Sequence, residues 1–272
     1  MSLGSAPRPW AGLADAFAFL SRLALPGRTG DLGRALAWFA PVGFMLGAVW
    51  TLAAVGAAHM AATAPAAPGF WAQGMLAGWV WLLLSVWTTC GLHWDGLADL
   101  GDAEGSGARG DRFRRILRDS RLGAFGALRL LLVFGGQWLA AAWHGALIFD
   151  ALRASWPLAQ ALPLALAPAW GRGVAVLLAH AVPARDAASL GGMACSGASP
   201  RLRAGYALAA AGTAGLLVLL GLPLWRALLL LAVQAFLLRR VAALARREGG
   251  LSGDFFGAAI EEGTLCFLLL TL

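Results

Sequence analysis

The chain contains no lysine and no asparagine, and all 21 of its basic residues are arginine. Without lysine there is no Schiff-base amine and no P-loop of the usual lysine-bearing kind. Without asparagine there is no N-linked glycosylation site. Arginine-only usage fits a GC-rich genome that avoids AA-rich codons. Charge of either sign is scarce, at 13% of residues, where a soluble domain carries about 25%. That excludes disorder and argues against a water-soluble globule. Cysteine is equally sparse. Cys90, Cys195 and Cys266 are odd in number and lack metal spacing, so neither a disulfide framework nor a cysteine metal site is expected. The net charge of +7 lies beside hydrophobic runs rather than in a patch, which fits membrane topology better than nucleic acid.

Sixty per cent of the 272 residues are hydrophobic, so the natural unit is the membrane span of roughly 20 apolar residues. Residues 36–58 and 70–92 are uncharged. Residues 122–149 carry only Arg129, and 154–184 only Arg172. Residues 204–238 carry only Arg226 and are long enough for two spans, with Gly221, Leu222 and Pro223 as the turn. Residues 255–272 carry only Glu261 and Glu262. The expectation is an all-α, polytopic integral membrane helical bundle of about seven transmembrane helices, a single domain over 1–272. Residues 10–25, with Trp10, Leu13, Phe17, Leu20 and Arg22, read as a short amphipathic helix on the membrane surface. Arg8, Arg22, Arg28 and Arg34 leave no clean hydrophobic stretch for a cleavable signal. Arginines alternate in the connections: four in 1–35, six in 93–121, three in 185–203 and four in 239–254, with almost none between. The positive-inside rule then places the N-terminus and the loops 93–121 and 239–254 in the cytoplasm, and the C-terminus outside. Membrane lipid is an implied partner, and a homo-oligomer stays open.

Six of the 14 acidic residues crowd one segment: Asp95, Asp99, Asp102, Glu104, Asp111 and Asp119. Asp95, Asp99 and Asp102 follow an i, i+4, i+7 spacing, which on a helix sets three carboxylates on one face. Bare carboxylates so placed repel. A hard divalent cation bridging to phosphate oxygens resolves this, and magnesium is usually held by a few carboxylates plus substrate phosphates. The plain alternative is a solvated acidic face balanced by Arg109, Arg112, Arg114, Arg115 and Arg118. The position at a span end in a charge-poor chain favours a site. Asp119, Ser120 and Arg121 precede Gly123 and Gly126. Arg121 could fork onto a phosphate or snorkel to headgroups. His93 could move a proton, bind phosphate or be structural. Asp254 and Glu261 share a face of the last segment, where Asp254 could equally cap the helix. Arg172 lies mid-span, where a charge is costly, and could pair with Glu261 or with a substrate phosphate. His59, His144, His180 and the 13 tryptophans read as packing and interface anchors. A secondary transporter is the non-enzyme rival, but a transporter should place its ionisable groups near the midplane rather than at a span end.

The run His93-Trp94-Asp95-Gly96-Leu97-Ala98-Asp99-x-x-Asp102 resembles the signature of the adenosylcobinamide-GDP ribazoletransferase (cobalamin synthase) family. Arg118-Asp119-Ser120-Arg121-Leu122-Gly123 and Gly253-Asp254-x-x-Gly257-Ala258-Ala259-Ile260-Glu261 resemble it too, as do Phe19-Leu20-Ser21-Arg22-Leu23 and Gly171-Arg172-Gly173. Ala103 stands where the pattern has glycine, Pro26 is displaced, and Glu262 replaces an apolar residue. None of these departures removes a carboxylate. The resemblance implies that α-ribazole, or its 5′-phosphate, attacks adenosylcobinamide-GDP with release of GMP, with magnesium as cofactor. It further implies Asp95, Asp99, Asp102 and Asp119 at the metal, His93, Asp254 and Glu261 in catalysis, and Arg22, Ser120, Arg121 and Arg172 at substrate. A bacterial inner membrane with the site facing the cytoplasm follows. The Asp-Gly-x-x-Ala core is also similar to that of CDP-alcohol phosphotransferases, a phospholipid-synthase alternative. Their leading aspartate would fall at Leu92 and their arginine at Asp99, so that likeness serves as mechanistic analogy only.

Overall fold

Long runs without charge fold as long helices, because inside a bilayer backbone polar groups must be satisfied within the segment itself. The computed structural model describes residues 10–62, 69–154 and 158–272, and places twelve helices there. They are α1 (Ala11–Leu20), α2 (Leu32–Leu36), α3 (Phe39–Ala62), α4 (Phe70–Thr89), α5 (Leu92–Gly105) and α6 (Gly110–Ile116). There follow α7 (Ala124–Ala154), α8 (Leu158–Ala181), α9 (Leu190–Cys195), α10 (Pro200–Leu219), α11 (Leu224–Arg247) and α12 (Gly253–Leu270). No strand occurs among the described residues, only an isolated parallel bridge between Ala184 and Leu251.

The protein is a polytopic helical membrane protein. Five helices, α3, α7, α8, α10 and α11, are long and apolar enough to span on their own. The pair α4 and α5 adds a sixth candidate, bent by 90° at its break. The remaining expected span corresponds to α12, whose 18 residues carry Asp254, Glu261 and Glu262. It packs against α5, α7, α8 and α11 and is buried around nearly its whole circumference, which makes it the centre of the bundle. Leu131, Leu208 and Leu219, each more than 70% exposed, point away from the bundle, as lipid-facing side chains do.

Three local differences from the sequence reading bear on the site. Helix α1 does not simply lie on a surface. Ala11, Ala14, Asp15, Ala16, Phe17 and Leu20 are buried, and the helix packs on α2 and α3. The Asp15 carboxylate accepts hydrogen bonds from the Thr29 hydroxyl and from the Thr29 and Gly30 amides, tying the 22–31 segment back onto α1. The connection expected at 239–254 is mostly helix: α11 runs on to Arg247, because Val241, Ala242, Leu244 and Ala245 continue its buried stripe while the arginines take the other faces. Finally, Arg129 on α7 and Glu262 on α12 are partners, 2.5 Å apart. Glu104 on α5 and Arg240 on α11 join them in one ion-pair network across four helices.

Candidate active site

The site begins where α4 ends. Cys90 and Gly91 both take left-handed backbone conformations, with φ of 54° and 68°. Two such residues in succession cannot continue a right-handed helix, so the chain turns through a right angle into α5. Asp95, Asp99 and Asp102 therefore do lie along one helix, but one set across the end of α4 rather than prolonging it. The opposite face of α5, including His93, Leu97 and Leu100, is buried.

Asp95 and Asp99 line a cleft of about 650 Å³ together with Ser21, Thr89, Trp94 and Ser120. A second cleft of about 1020 Å³, walled by Leu25, Arg28, Leu190 and Met193, shares Phe19 and Leu92 with the first. The segment before α2, the α4–α5 turn and the start of α7 are thus brought to one mouth.

Helix α12 reaches the same place from the far end of the chain. A side chain on Gly96 would meet the Asp254 Cα at 2.8 Å, and one on Gly257 would meet the His93 carbonyl oxygen at 2.7 Å. Only glycine permits helices to cross this closely. The crossing puts Asp254 beside the α5 carboxylates, so that the charges of Asp95, Asp254 and Asp102 all bear on Asp99. Asp254 is not the N-cap of α12. Ser252 occupies that position, and its hydroxyl donates to Asp254 Oδ2 at 2.8 Å.

His93 and Glu261 lie behind this face, inside the bundle. His93 is 4% exposed, and its Nδ1 stands 3.4 Å from Glu261 Oε1. The other Glu261 oxygen accepts from Gln137 Nε2 at 2.8 Å. Gln137, a lone amide in an apolar run, is a partner that the sequence reading did not single out. Arg172 is not within ion-pair distance of Glu261. Its Nη1 donates to the Pro168 carbonyl at 3.0 Å, and the guanidinium sits 5.9 Å from the centre of the Trp50 ring. The reason is that α12 meets α8 at Gly171, one residue off the arginine, which leaves Arg172 turned towards α3.

The remaining candidates have clear partners. Asp102 accepts the Gly123 and Gly126 amides, at 2.7 and 2.8 Å, and so pins the first turn of α7 to α5. Asp119 takes a two-pronged bond from the exposed Arg121, at 2.9 and 2.6 Å. That hydrogen bonding holds its carboxyl down to about 2. Ser120 between them is exposed on the cleft wall. Arg22 stacks 4.6 Å above the Trp87 ring, and its amide donates to the Thr88 carbonyl, which places it beside the α4–α5 turn.

Among the described residues, no three His, Cys, Asp or Glu side chains converge into a ready-made metal cage. Magnesium does not require one, because one or two carboxylates usually hold it together with substrate phosphates and water. Asp95 and Asp99, one turn apart on the cleft wall, are such a pair, and the donor set fits an ion shared with a phosphate ester.

A membrane-embedded helical bundle with carboxylates lining a cleft defines the chain as an integral-membrane protein with an acidic site. The particular family follows from comparison: residues 12–272 match the family model described as cobalamin-5-phosphate synthase, and the chain belongs to that family. A Nitratidesulfovibrio vulgaris (strain DP4) protein named adenosylcobinamide-GDP ribazoletransferase is 41% identical over 247 residues, 89% of each chain. Proteins of the same name from Klebsiella pneumoniae (strain 342) and Rhizobium etli (strain CIAT 652) are 36% and 33% identical, over 94% and 95% of this chain and 97% and 96% of their own. No solved structure matches the chain significantly.

Proposed function

We propose that the protein joins α-ribazole, or its 5′-phosphate, to adenosylcobinamide-GDP with release of GMP, giving adenosylcobalamin or its phosphate. The observation that carries this reading is the α5–α12 crossing, which sets Asp254 against Gly96 and within reach of the charge of Asp99, while Asp95 and Asp99 line a cleft wide enough for a pyrophosphate. Asp95 and Asp99 would hold magnesium against that pyrophosphate. When bound, the ion would offset charge on the phosphoryl oxygens and on the departing phosphate. The bond that forms joins the ribose hydroxyl oxygen to the cobinamide phosphorus, and the bond that breaks releases GMP with its electron pair. Asp254, whose Oδ2 accepts from Ser252, takes the proton of the attacking hydroxyl on its other oxygen. Ser120 donates a hydrogen bond to a phosphoryl oxygen, and Arg22 neutralises charge at the rim. Asp102 and Asp119 serve this site by setting the α7 start and the Asp119–Arg121 turn. His93, Glu261, Gln137 and Arg172 act from behind, holding α5, α7, α8 and α12 in place. The test is purified protein in detergent with adenosylcobinamide-GDP, α-ribazole and magnesium. GMP and a cobalamin product are expected, and neither should form when magnesium is chelated. Absence of GMP with magnesium present rejects the reaction.

The same reading places the protein in a bacterial inner membrane, with the cleft on the cytoplasmic side, where the arginine-rich connections lie. In a variant whose native cysteines are replaced, a cysteine at Ser106 should resist a membrane-impermeant thiol reagent applied from outside. A cysteine at Leu222, in the α10–α11 turn, should react. The opposite pattern would detach the cleft from cytoplasmic substrates.

A further inference from the structure

Among the described residues, an arginine beside the start of α12 carries a buried guanidinium nitrogen with no hydrogen-bond partner. Arg185 lies between α8 and α9, and its main chain is fixed against the segment that launches α12. Its amide donates to the Leu251 carbonyl at 2.9 Å, while the Leu251 amide donates to the Pro183 carbonyl at 2.9 Å. Leu251 is fully buried, so this short bridge is an anchored feature of the fold. The anchor sets Arg185 against Gly250, where an added side chain would meet the Arg185 amide nitrogen at 2.7 Å, and from there its charge acts on Asp254. No ion pair forms, however, and among the described residues the Arg185 side chain makes no hydrogen bond. Its Nη1 is nevertheless shut off from solvent. The neighbouring carboxylate of Asp186 is turned away and accepts the Ala188 amide instead.

A buried donor left unpaired is costly, and guanidinium forks match phosphate oxygens geometrically. Arg121 is engaged with Asp119, Arg22 with Trp87, and Arg172 inside the bundle with Pro168, while Arg28 on the wall of the second cleft is exposed to solvent and needs no partner. Resting on the reaction proposed above, we infer that Arg185 seats the phosphate of the departing GMP. The arrangement is complementary: the carboxylates of Asp95, Asp99 and Asp254 face one side of the pyrophosphate through a cation and a proton. Arg185 faces the other side directly. Ser252 adds to this, because its hydroxyl is spent on Asp254 and leaves the first turn of α12 without a side-chain cap. Helix amides there carry partial positive charge, which favours an anion.

The experiment compares wild type with Arg185→Gln and Arg185→Lys. Two readouts are taken: direct binding of GDP in the presence of magnesium, and KM for each substrate. Arg185→Gln should weaken GDP binding and raise KM for adenosylcobinamide-GDP by roughly ten- to a hundredfold, the range for a lost charged hydrogen bond. KM for α-ribazole should not move. Arg185→Lys, a point charge that cannot fork, should fall between the two. Unchanged GDP affinity in Arg185→Gln overturns the assignment, and so does an equal rise in both KM values, which is the mark of a merely structural tie. If the glutamine variant does not fold, wild-type GDP affinity in Arg185→Lys overturns it instead. Failure of the reaction itself is a separate outcome: wild type would then bind GDP in an Arg185-dependent manner yet release no GMP.

Discussion

Asp99→Ala should abolish GMP release, with a loss on the order of 10²–10³-fold or more, while the folded protein melts no lower than wild type. The loss follows from position. Asp99 sits on the cleft wall at the centre of the acidic group, where Asp95, Asp102 and Asp254 all bear on it. Removing a group that acts on transition-state charge costs enzymes about that much. The retained stability follows from the same crowding. Asp99 makes no side-chain hydrogen bond among the described residues, and its neighbours are like charges, so removing its carboxylate takes no stabilising contact from the fold. Asp102→Ala is the contrasting control. Its carboxylate holds two backbone amides at the start of α7, and charged hydrogen bonds of this kind contribute roughly 1.5–3 kcal/mol each. That variant should melt lower, and lose activity through displacement of Ser120 and the α7 start. Activity and melting temperature measured side by side separate the two aspartates that sequence spacing makes equivalent. Near-wild-type turnover in Asp99→Ala would remove the acidic cleft from the reaction.

What the sequence makes legible here is local and periodic. Uncharged runs of about 20 residues mark the long helices, and Gly221-Leu222-Pro223 marks the α10–α11 turn, which the structure places between Leu219 and Leu224. The i, i+4, i+7 aspartates announce a shared helix face. The direction of that face is not announced, because it depends on two left-handed residues, one of them Cys90, a residue type that rarely adopts this conformation. Pairings across long separations are illegible for a different reason. Arg129 reads as an isolated charge in a span and Glu262 as a departure from a pattern, yet each is the other's partner across 133 positions. Conversely, Arg172 and Glu261 look like natural partners by charge and depth. A helix contact made one residue away, at Gly171, decides otherwise and leaves Glu261 to Gln137 and His93. Arg185 had no signal beyond being one arginine among several in a polar connection. Its isolation becomes visible only when the Ala184–Leu251 bridge brings it to the start of α12.

Asp254→Asn should cost at least two orders of magnitude in turnover without unfolding the protein, and the geometry says why a cap cannot explain such a loss. An aspartate at a helix start is ordinarily read as a cap, and asparagine caps nearly as well. In α12, however, the capping position belongs to Ser252, and Asp254 lies inside the first turn, its backbone pressed against Gly96 of α5. Asparagine keeps the shape of the side chain and an oxygen that can accept from Ser252, so the crossing and its hydrogen bond survive. What it lacks is the basic oxygen that takes a proton from the attacking ribose hydroxyl, a contribution usually worth 10²–10⁴-fold. Ser252→Ala isolates the other half of the argument. It removes the donor to Oδ2 and leaves the carboxylate intact, so turnover should change far less than in Asp254→Asn. If proton abstraction is the function lost, Asp254→Asn should lower kcat while leaving the binding of GDP with magnesium near wild type. Should it instead abolish GDP binding and spare the residual kcat, Asp254 belongs with Asp95 and Asp99 as a holder of the cation rather than as the base.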